Sequence, residues 1–275
     1  MDTLFSVKDK IVIITGGLGQ IGLEFVKEFY KRGSKVVALS RSASLEKARE
    51  KLGDEISDSN RFLVFPVDIQ KKEQINSVLD KIENIWGTVD VLINNAGLDT
   101  KPNAPASVSG PFEFFPEEVF REVVSVNLVG TFLMTQAVGA RMIKAKKPGS
   151  IINVGSTYGM VSPVQDIYAY RKEQTGIPFT KPVAYSTAKS GLYNFTRYCA
   201  TYWAKKGIRV NTFTPAGVYS EKHDETFSQN YKNRIPIGRF AMPDEYNGAM
   251  IFLASDASKY MTGANLVMDG GWTAW

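Results

Sequence analysis

A tyrosine and a lysine four positions apart, in Tyr185-Ser186-Thr187-Ala188-Lys189, fall on one face of a helix, and such a pair can move a proton. A cation beside a phenol favours the phenolate and draws its pKa down from about 10, toward the range where the group serves as general acid and base. The same spacing occurs in ordinary helices as a surface pair. What the rest of the chain builds around it therefore decides the reading.

Near the N-terminus the apolar run Lys10-Ile11-Val12-Ile13-Ile14 leads directly into Thr15-Gly16-Gly17-Leu18-Gly19-Gln20-Ile21-Gly22, which reads as strand, glycine turn and helix. The helix is expected over residues 20–32, with Ile21, Phe25 and Phe29 on one stripe and Gly33 as its stop. With a second strand over 35–40 this makes a βαβ unit, whose first turn can bring backbone N–H groups and a helix N-terminus up to a pyrophosphate. A glycine cluster alone is often just a tight turn; its place between strand and helix favours a dinucleotide. Residues 62–68, 89–97, 150–156, 208–213 and 263–271 read as further strands, with helical stretches between them. This alternation predicts an α/β fold: a doubly wound, mostly parallel sheet of seven strands flanked by helices on both faces. Asp68 and Asn94-Asn95-Ala96-Gly97 fall just beyond carboxyl ends of strands, where such sheets bind ligands.

Thr15-Gly16 with Gly22, Asp68, Asn94-Asn95-Ala96-Gly97, Asn127, Ser156, Tyr185 with Lys189, and Asn211 with Pro215 run in this order through nearly the whole chain. On these motifs it resembles the short-chain dehydrogenase/reductase family in its single-domain subtype. The resemblance implies one Rossmann-like domain over residues 1–275 and an NAD(P)-dependent oxidoreductase interconverting a secondary alcohol and a ketone. Gln20 departs from the pattern: it stands where the family usually has a second glycine, close to the expected pyrophosphate or ribose.

The resemblance also implies roles. Tyr185 would pass the proton to or from the substrate oxygen while the nicotinamide C4 gives or takes a hydride. Lys189 would stabilise the tyrosinate and hydrogen-bond the nicotinamide ribose. Ser156 would hold the same substrate oxygen and share its developing charge, and Asn127 would hold a water connecting Lys189 to solvent. Cofactor contacts are implied for Thr15, Gly16, Gln20, Ile21, Gly22, Ser40, Arg41, Asp68, Ile69, Asn94, Ala96 and Gly97, and for Tyr185, Lys189, Pro215, Gly217 and Val218 at the nicotinamide end. Among these, Asp68 would accept from the adenine amino group and Asn94 would line the adenosine ribose. The plainer alternatives are a helix cap for Asp68, ahead of a helix over 70–81, a turn residue for Ser156, and a backbone-bonded helix residue for Asn127.

The second strand ends in Ser40-Arg41, without the acid that would bond a ribose 2′-hydroxyl and repel a phosphate. Arginine pairs with phosphate oxygens in a two-pronged fashion. NADP is therefore favoured over NAD, although Gly19 stands where many NADP-preferring relatives carry another basic residue.

Substrate identity is expected from three loops. The first, 98–118, carries Phe112, Phe114 and Phe115. The second, 157–184, is an insertion: 29 positions separate Ser156 from Tyr185, about twice the separation in many family members. Its Gln165, Asp166, Tyr168, Tyr170, Arg171, Lys172, Glu173 and Lys181 form a wall suited to a polar, hydroxyl-rich or anionic ligand; the alternative is a solvated excursion. The third, 219–239, is charged and sparing in apolar residues, as a substrate lid would be, and holds the lone His223, expected to be solvated. The run 175–182 and the ending 269–275 are similar to bacterial oxidoreductases of flagellin modification and surface-sugar biosynthesis, which implies a sugar or sugar-nucleotide substrate.

The remaining properties set bounds. A chain of 275 residues with 44% hydrophobic content and no linker can bury one substantial core. The net charge of +5 is dispersed, with no basic cluster interleaved with aromatics, so nucleic acid is not an expected partner. Cys199, the single cysteine, lies on the apolar face with Leu192 and Phe195, and no intrachain disulfide can form. Metal-ligand spacing is absent. No signal peptide and no uninterrupted apolar run of ~18 residues is seen, so no membrane association and a cytoplasmic location are expected. Self-association as homodimer or homotetramer follows from the family resemblance. Two other functions stay open: a 3-oxoacyl carrier-protein reductase, and a dinucleotide-binding regulatory protein without turnover.

Overall fold

The computed structural model describes residues 3–58, 60–100 and 104–275. Seven strands, β1 (Ile11–Thr15), β2 (Lys35–Ser40), β3 (Phe62–Pro66), β4 (Val91–Asn94), β5 (Gly149–Val154), β6 (Ile208–Pro215) and β7 (Asn265–Met268), form one sheet in the order β3-β2-β1-β4-β5-β6-β7. Every pairing is parallel, which sharpens the expectation of a mostly parallel sheet. Parallel strands are covered on both faces, and β1 is buried along its whole length. The strand order reverses between β1 and β4, and the crevice at such a switch point is where these sheets take ligands.

The helix after the glycine turn runs from Gln20 to Lys31 and ends at Gly33, whose φ of 85° only glycine adopts freely. Its Phe25 and Phe29 are fully buried, each contributing about 1.5–3 kcal/mol of burial. They join Met250 and Ile251 on one face of the sheet, while Ile75, Leu79, Ile82, Met134, Val138 and Met142 cover the other. The helix expected at 70–81 spans Lys72–Trp86. The helical run Glu117–Lys144 matches a membrane span by length and hydropathy, yet 56% of its apolar window is buried within the fold.

A third apolar cluster lies off the sheet. Tyr158, Ile167, Tyr168, Tyr170 and Phe179 of the insertion pack with Phe227, Tyr231 and Ile235 of the lid segment, with Phe240 just after it and with Trp272. The insertion is therefore no solvated excursion. Tyr168 and Tyr170, expected as ligand wall, are core residues here, because segment 219–239 supplies an aromatic face for them. Phe227, Tyr231 and Ile235 of that segment turn inward, on the helix Glu225–Lys232 and the turn after it, while Tyr219 and Ile237 stay exposed. Part of the first loop, 101–103, lies outside the described residues.

Candidate active site

At the end of β1 the chain turns so tightly that a Cβ on Gly22 would collide with the Gly16 carbonyl oxygen. The helix that follows has no side-chain cap and no acid in its first turn, so its leading N–H groups are left for an anion. Beside it, Gly16, Ser40, Arg41, Asp68, Ile69, Ala96 and Gly97 line one cleft of about 160 Å³. The uncapped helix start offers N–H donors to a phosphate, and the cleft bounded by the ends of β1, β2 and β4 presents Arg41 and Asp68 beside it. Asp68 is not the cap of helix Lys72–Trp86, whose N-cap is Lys71; its Oδ1 accepts from the Gln70 N–H at 3.0 Å, leaving Oδ2 to the cleft.

The long helix Val183–Trp203 carries Tyr185 and Lys189 along the mouth of β5. Lys189 is buried, and its Nζ donates to the Val154 carbonyl at 2.7 Å. Burial pushes its pKa down to about 8, against the pull of the Asp99 carboxylate. Ser156 follows β5, capping the short helix Thr157–Met160 by accepting from the Tyr158 N–H at 3.2 Å. Burial raises the Tyr185 pKa, Asp99 raises it further, and a hydrogen bond with the Ser156 hydroxyl draws it part of the way back. Lys189 lies 5.8 Å from the Tyr185 ring centroid. Desolvation is the largest influence on the phenol and holds Tyr185 above the ordinary tyrosine value.

Asn127 sits on a π-helical turn, Ser125–Val129, within the run Glu117–Lys144. Its Oδ1 accepts from the Leu98 N–H at 2.7 Å and its Nδ2 donates to the Leu98 carbonyl at 2.8 Å. The side chain fixes the turn after β4; each of its atoms makes one hydrogen bond, which leaves a second lone pair on Oδ1 and a second proton on Nδ2. A Cβ on Gly97 would lie 3.2 Å from Asn127 Oδ1 and 3.7 Å from Lys189 Nζ, so Gly97 borders the space between these two groups.

Residues 19–273 match the family model described as enoyl-(acyl carrier protein) reductase. The chain is 30% identical to an NAD-dependent glycerol dehydrogenase from Listeria innocua, covering 99% of this chain and 97% of that one. The chain belongs to the short-chain dehydrogenase/reductase family. A solved short-chain dehydrogenase from Leptospira borgpetersenii with bound NAD+ superposes with a TM-score of 0.84 at 34% identity, covering 99% and 96% of the two chains. A gluconate 5-dehydrogenase from Burkholderia cenocepacia, in complex with NADP and tartrate, gives 0.83 at 28% identity, covering 99% and 98%. This short-chain dehydrogenase/reductase is an NAD(P)-dependent oxidoreductase acting on CH–OH groups, which removes the non-catalytic alternative.

Two of the expected cofactor contacts face elsewhere in this dehydrogenase. Asn94 is buried, and its Nδ2 donates to Thr135 Oγ1 and to Asn153 Oδ1, both at 2.9 Å. As the last residue of β4 its side chain points beneath the sheet rather than along the ribose, because successive strand residues alternate faces. Thr15 is likewise buried, its Oγ1 accepting from the N–H groups of Asn95 and Ala96, each at 3.0 Å. Both are braces.

Pro215, Gly217 and Val218 close the far end, where Val218 and Ala241 bridge and the Tyr219 N–H donates to the Ala241 carbonyl at 2.8 Å. His223 is half-buried against Phe227 and Phe240 rather than solvated. Cys199 is buried and free.

Three residues went unassigned in the sequence. Asn95 Nδ2 donates to the Thr15 carbonyl at 3.0 Å, clamping the glycine turn to β4. Tyr193 donates to the Ser156 carbonyl at 2.8 Å and meets Thr214 Oγ1 at 2.8 Å; it lies four residues after Lys189 on the same helix face, a periodicity that could have found it. Lys51 donates to the Leu18 carbonyl at 2.8 Å, bringing a cation onto the glycine turn.

Proposed function

We propose that the enzyme interconverts a secondary hydroxyl and a ketone on a small, hydroxyl-rich molecule, with Tyr185 as general acid and base. One observation carries this reading: Tyr185, Ser156 and Lys189 converge at the carboxyl ends of β5 and β6 beside the cleft that presents Arg41 and Asp68. The nicotinamide supplies the hydride acceptor or donor. Tyr185, protonated at rest, gives its proton to the ketone oxygen in reduction and takes it back in oxidation. Ser156 holds the same oxygen, and Tyr193 holds Ser156 by its carbonyl. Lys189, fixed on Val154, offers positive charge to the tyrosinate as it forms. Asn127 acts through Leu98, keeping the turn after β4 in register with Lys189.

For the cofactor, Arg41 at the cleft and Lys51 on the glycine turn support a preference for NADP. For the substrate, the relatives described above are named for glycerol and gluconate, and neither name concerns flagellin or a surface sugar. This supports a polyol or sugar derivative in place of an acyl carrier protein. Segment 219–239 serves as the lid over it. Self-association belongs to the same reading: Phe132, Tyr198 and Tyr202 stand exposed along two neighbouring helices.

The test is turnover of purified enzyme with NADP+ and NAD+ on a panel of polyols, sugar acids and oxoacyl thioesters, alongside Tyr185→Phe. The variant should lose turnover by about 1,000-fold or more while still binding NADPH, followed by fluorescence. Turnover by Tyr185→Phe at the wild-type rate overturns the assignment.

A further inference from the structure

The end of the insertion delivers a second cation to the site. Lys181 Nζ lies 5.4 Å from the Tyr185 ring centroid, and its side chain is only 5% exposed. Its three protons are committed: to Asp99 Oδ2 at 2.6 Å, to Asp99 Oδ1 at 2.7 Å and to the Thr100 carbonyl at 3.0 Å. Gln165 fixes the lysine backbone from both sides, accepting from its N–H at 2.8 Å and donating to its carbonyl at 3.2 Å. This ammonium is not available to an anionic substrate.

The carboxylate it clamps is available. Asp99 stands two residues beyond Gly97, and its side chain keeps 41% of its surface exposed. Its charge acts on Tyr185, Lys189, Tyr158 and Tyr168 alike, the groups around the position of the reacting oxygen. A carboxylate accepts hydrogen bonds and cannot donate them. Held beside the general acid, it invites a hydroxyl and repels a second carboxylate.

We propose that Asp99, positioned by Lys181, is the specificity residue of this enzyme, accepting from a hydroxyl vicinal to the one on which Tyr185 acts. The substrate class is then a neutral vicinal diol or polyol, and sugar acids are disfavoured at that end. The proposal rests on the oxidoreductase reading above and narrows its substrate.

The experiment compares kcat/KM for 2,3-butanediol and 2-butanol. With each enzyme assayed on the plateau of its own pH profile, Asp99→Asn should lose about tenfold or more on the diol, mainly in KM, and the ratio of diol to 2-butanol kcat/KM should fall by the same factor. Lys181→Arg should keep the diol preference and Lys181→Met should lose it. The double variant Asp99→Asn/Lys181→Met, which leaves no unpaired buried charge, guards against a folding defect and should match Asp99→Asn. Equal losses on both alcohols, or an unchanged diol preference in Asp99→Asn, overturn the proposal. If the wild type oxidises no alcohol, the oxidoreductase reading is what fails. Saturation-transfer NMR of 2,3-butanediol then still decides the contact: signal lost in Asp99→Asn supports it, and equal signal refutes it.

Discussion

The Gln20 side-chain amide donates to the Tyr219 carbonyl at 2.6 Å, joining the first turn of the nucleotide cleft to the first residue of the lid segment across 199 positions of sequence. The residue that breaks the family's glycine pattern thus has a place: it reaches outward to Tyr219 and leaves Gly16 and Gly22 to the tight turn. Gln20→Gly should free the lid end without disturbing the turn. Cofactor release, followed by stopped-flow NADPH fluorescence, should accelerate about two- to tenfold, the range expected for one hydrogen bond of about 0.5–1.5 kcal/mol. An unchanged release rate would deny the tether any part in retention.

Tyr193 supports Ser156 from below. Replacing it with Phe removes the donor to the Ser156 carbonyl and the contact with Thr214, at a stability cost of about 1 kcal/mol. The expected signature is a kcat reduced about fivefold with KM unchanged, since the hydroxyl of Ser156 shifts but the substrate wall stays. Steady-state kinetics checks this.

The rate should follow the proton inventory of the Tyr185 and Lys189 pair. Burial holds the proton on Tyr185 and pushes Lys189 down to about 8, so the pair gives up one proton on passing upward through about pH 8. That proton leaves Lys189, so the charge it offers the forming tyrosinate is lost across that interval, and alcohol oxidation and ketone reduction should both fall. The Asp99 carboxylate raises both groups, so Asp99→Asn should move the inflection toward acid. Rates of oxidation from about pH 6 to 10 measure both.

Acid should loosen the lid through His223. Its ring meets Phe227 and Phe240 at centroid distances of 5.4 and 5.0 Å, and burial lowers its pKa. A histidine with a depressed folded pKa contributes stability above its unfolded value of about 6.5 and loses it as pH falls through the folded one. His223→Leu should therefore flatten the acid limb of Tm against pH, read by differential scanning fluorimetry. A limb as steep as the wild type's would place the acid sensitivity elsewhere.

Tyr198 and Tyr202 stack at 5.9 Å on the outer face of the long helix, exposed by 65% and 68%. If that face joins two copies, Tyr198→Glu with Tyr202→Glu should reduce the mass measured by light scattering to that of one chain. A wild-type monomer at micromolar concentration would remove the premise.

The sequence by itself determined the layered fold, the glycine turn, and the positions of Ser156, Tyr185 and Lys189. These are local matters: apolar runs of strand length make strands, and a spacing of four puts two side chains on one helix face. Only the tertiary structure decided which polar groups remain free for chemistry. Asn94, Thr15 and Asn127 look like ligand contacts by type, yet each also bonds a partner distant in sequence: Asn153, Ala96 and Leu98. Asp99 and Lys181, 82 positions apart, carry no mutual signal in the chain; they meet because the insertion packs its aromatics onto the lid. Spacing reports the nearby cation, whereas burial, which raises the phenol's pKa, is a property of the assembled molecule.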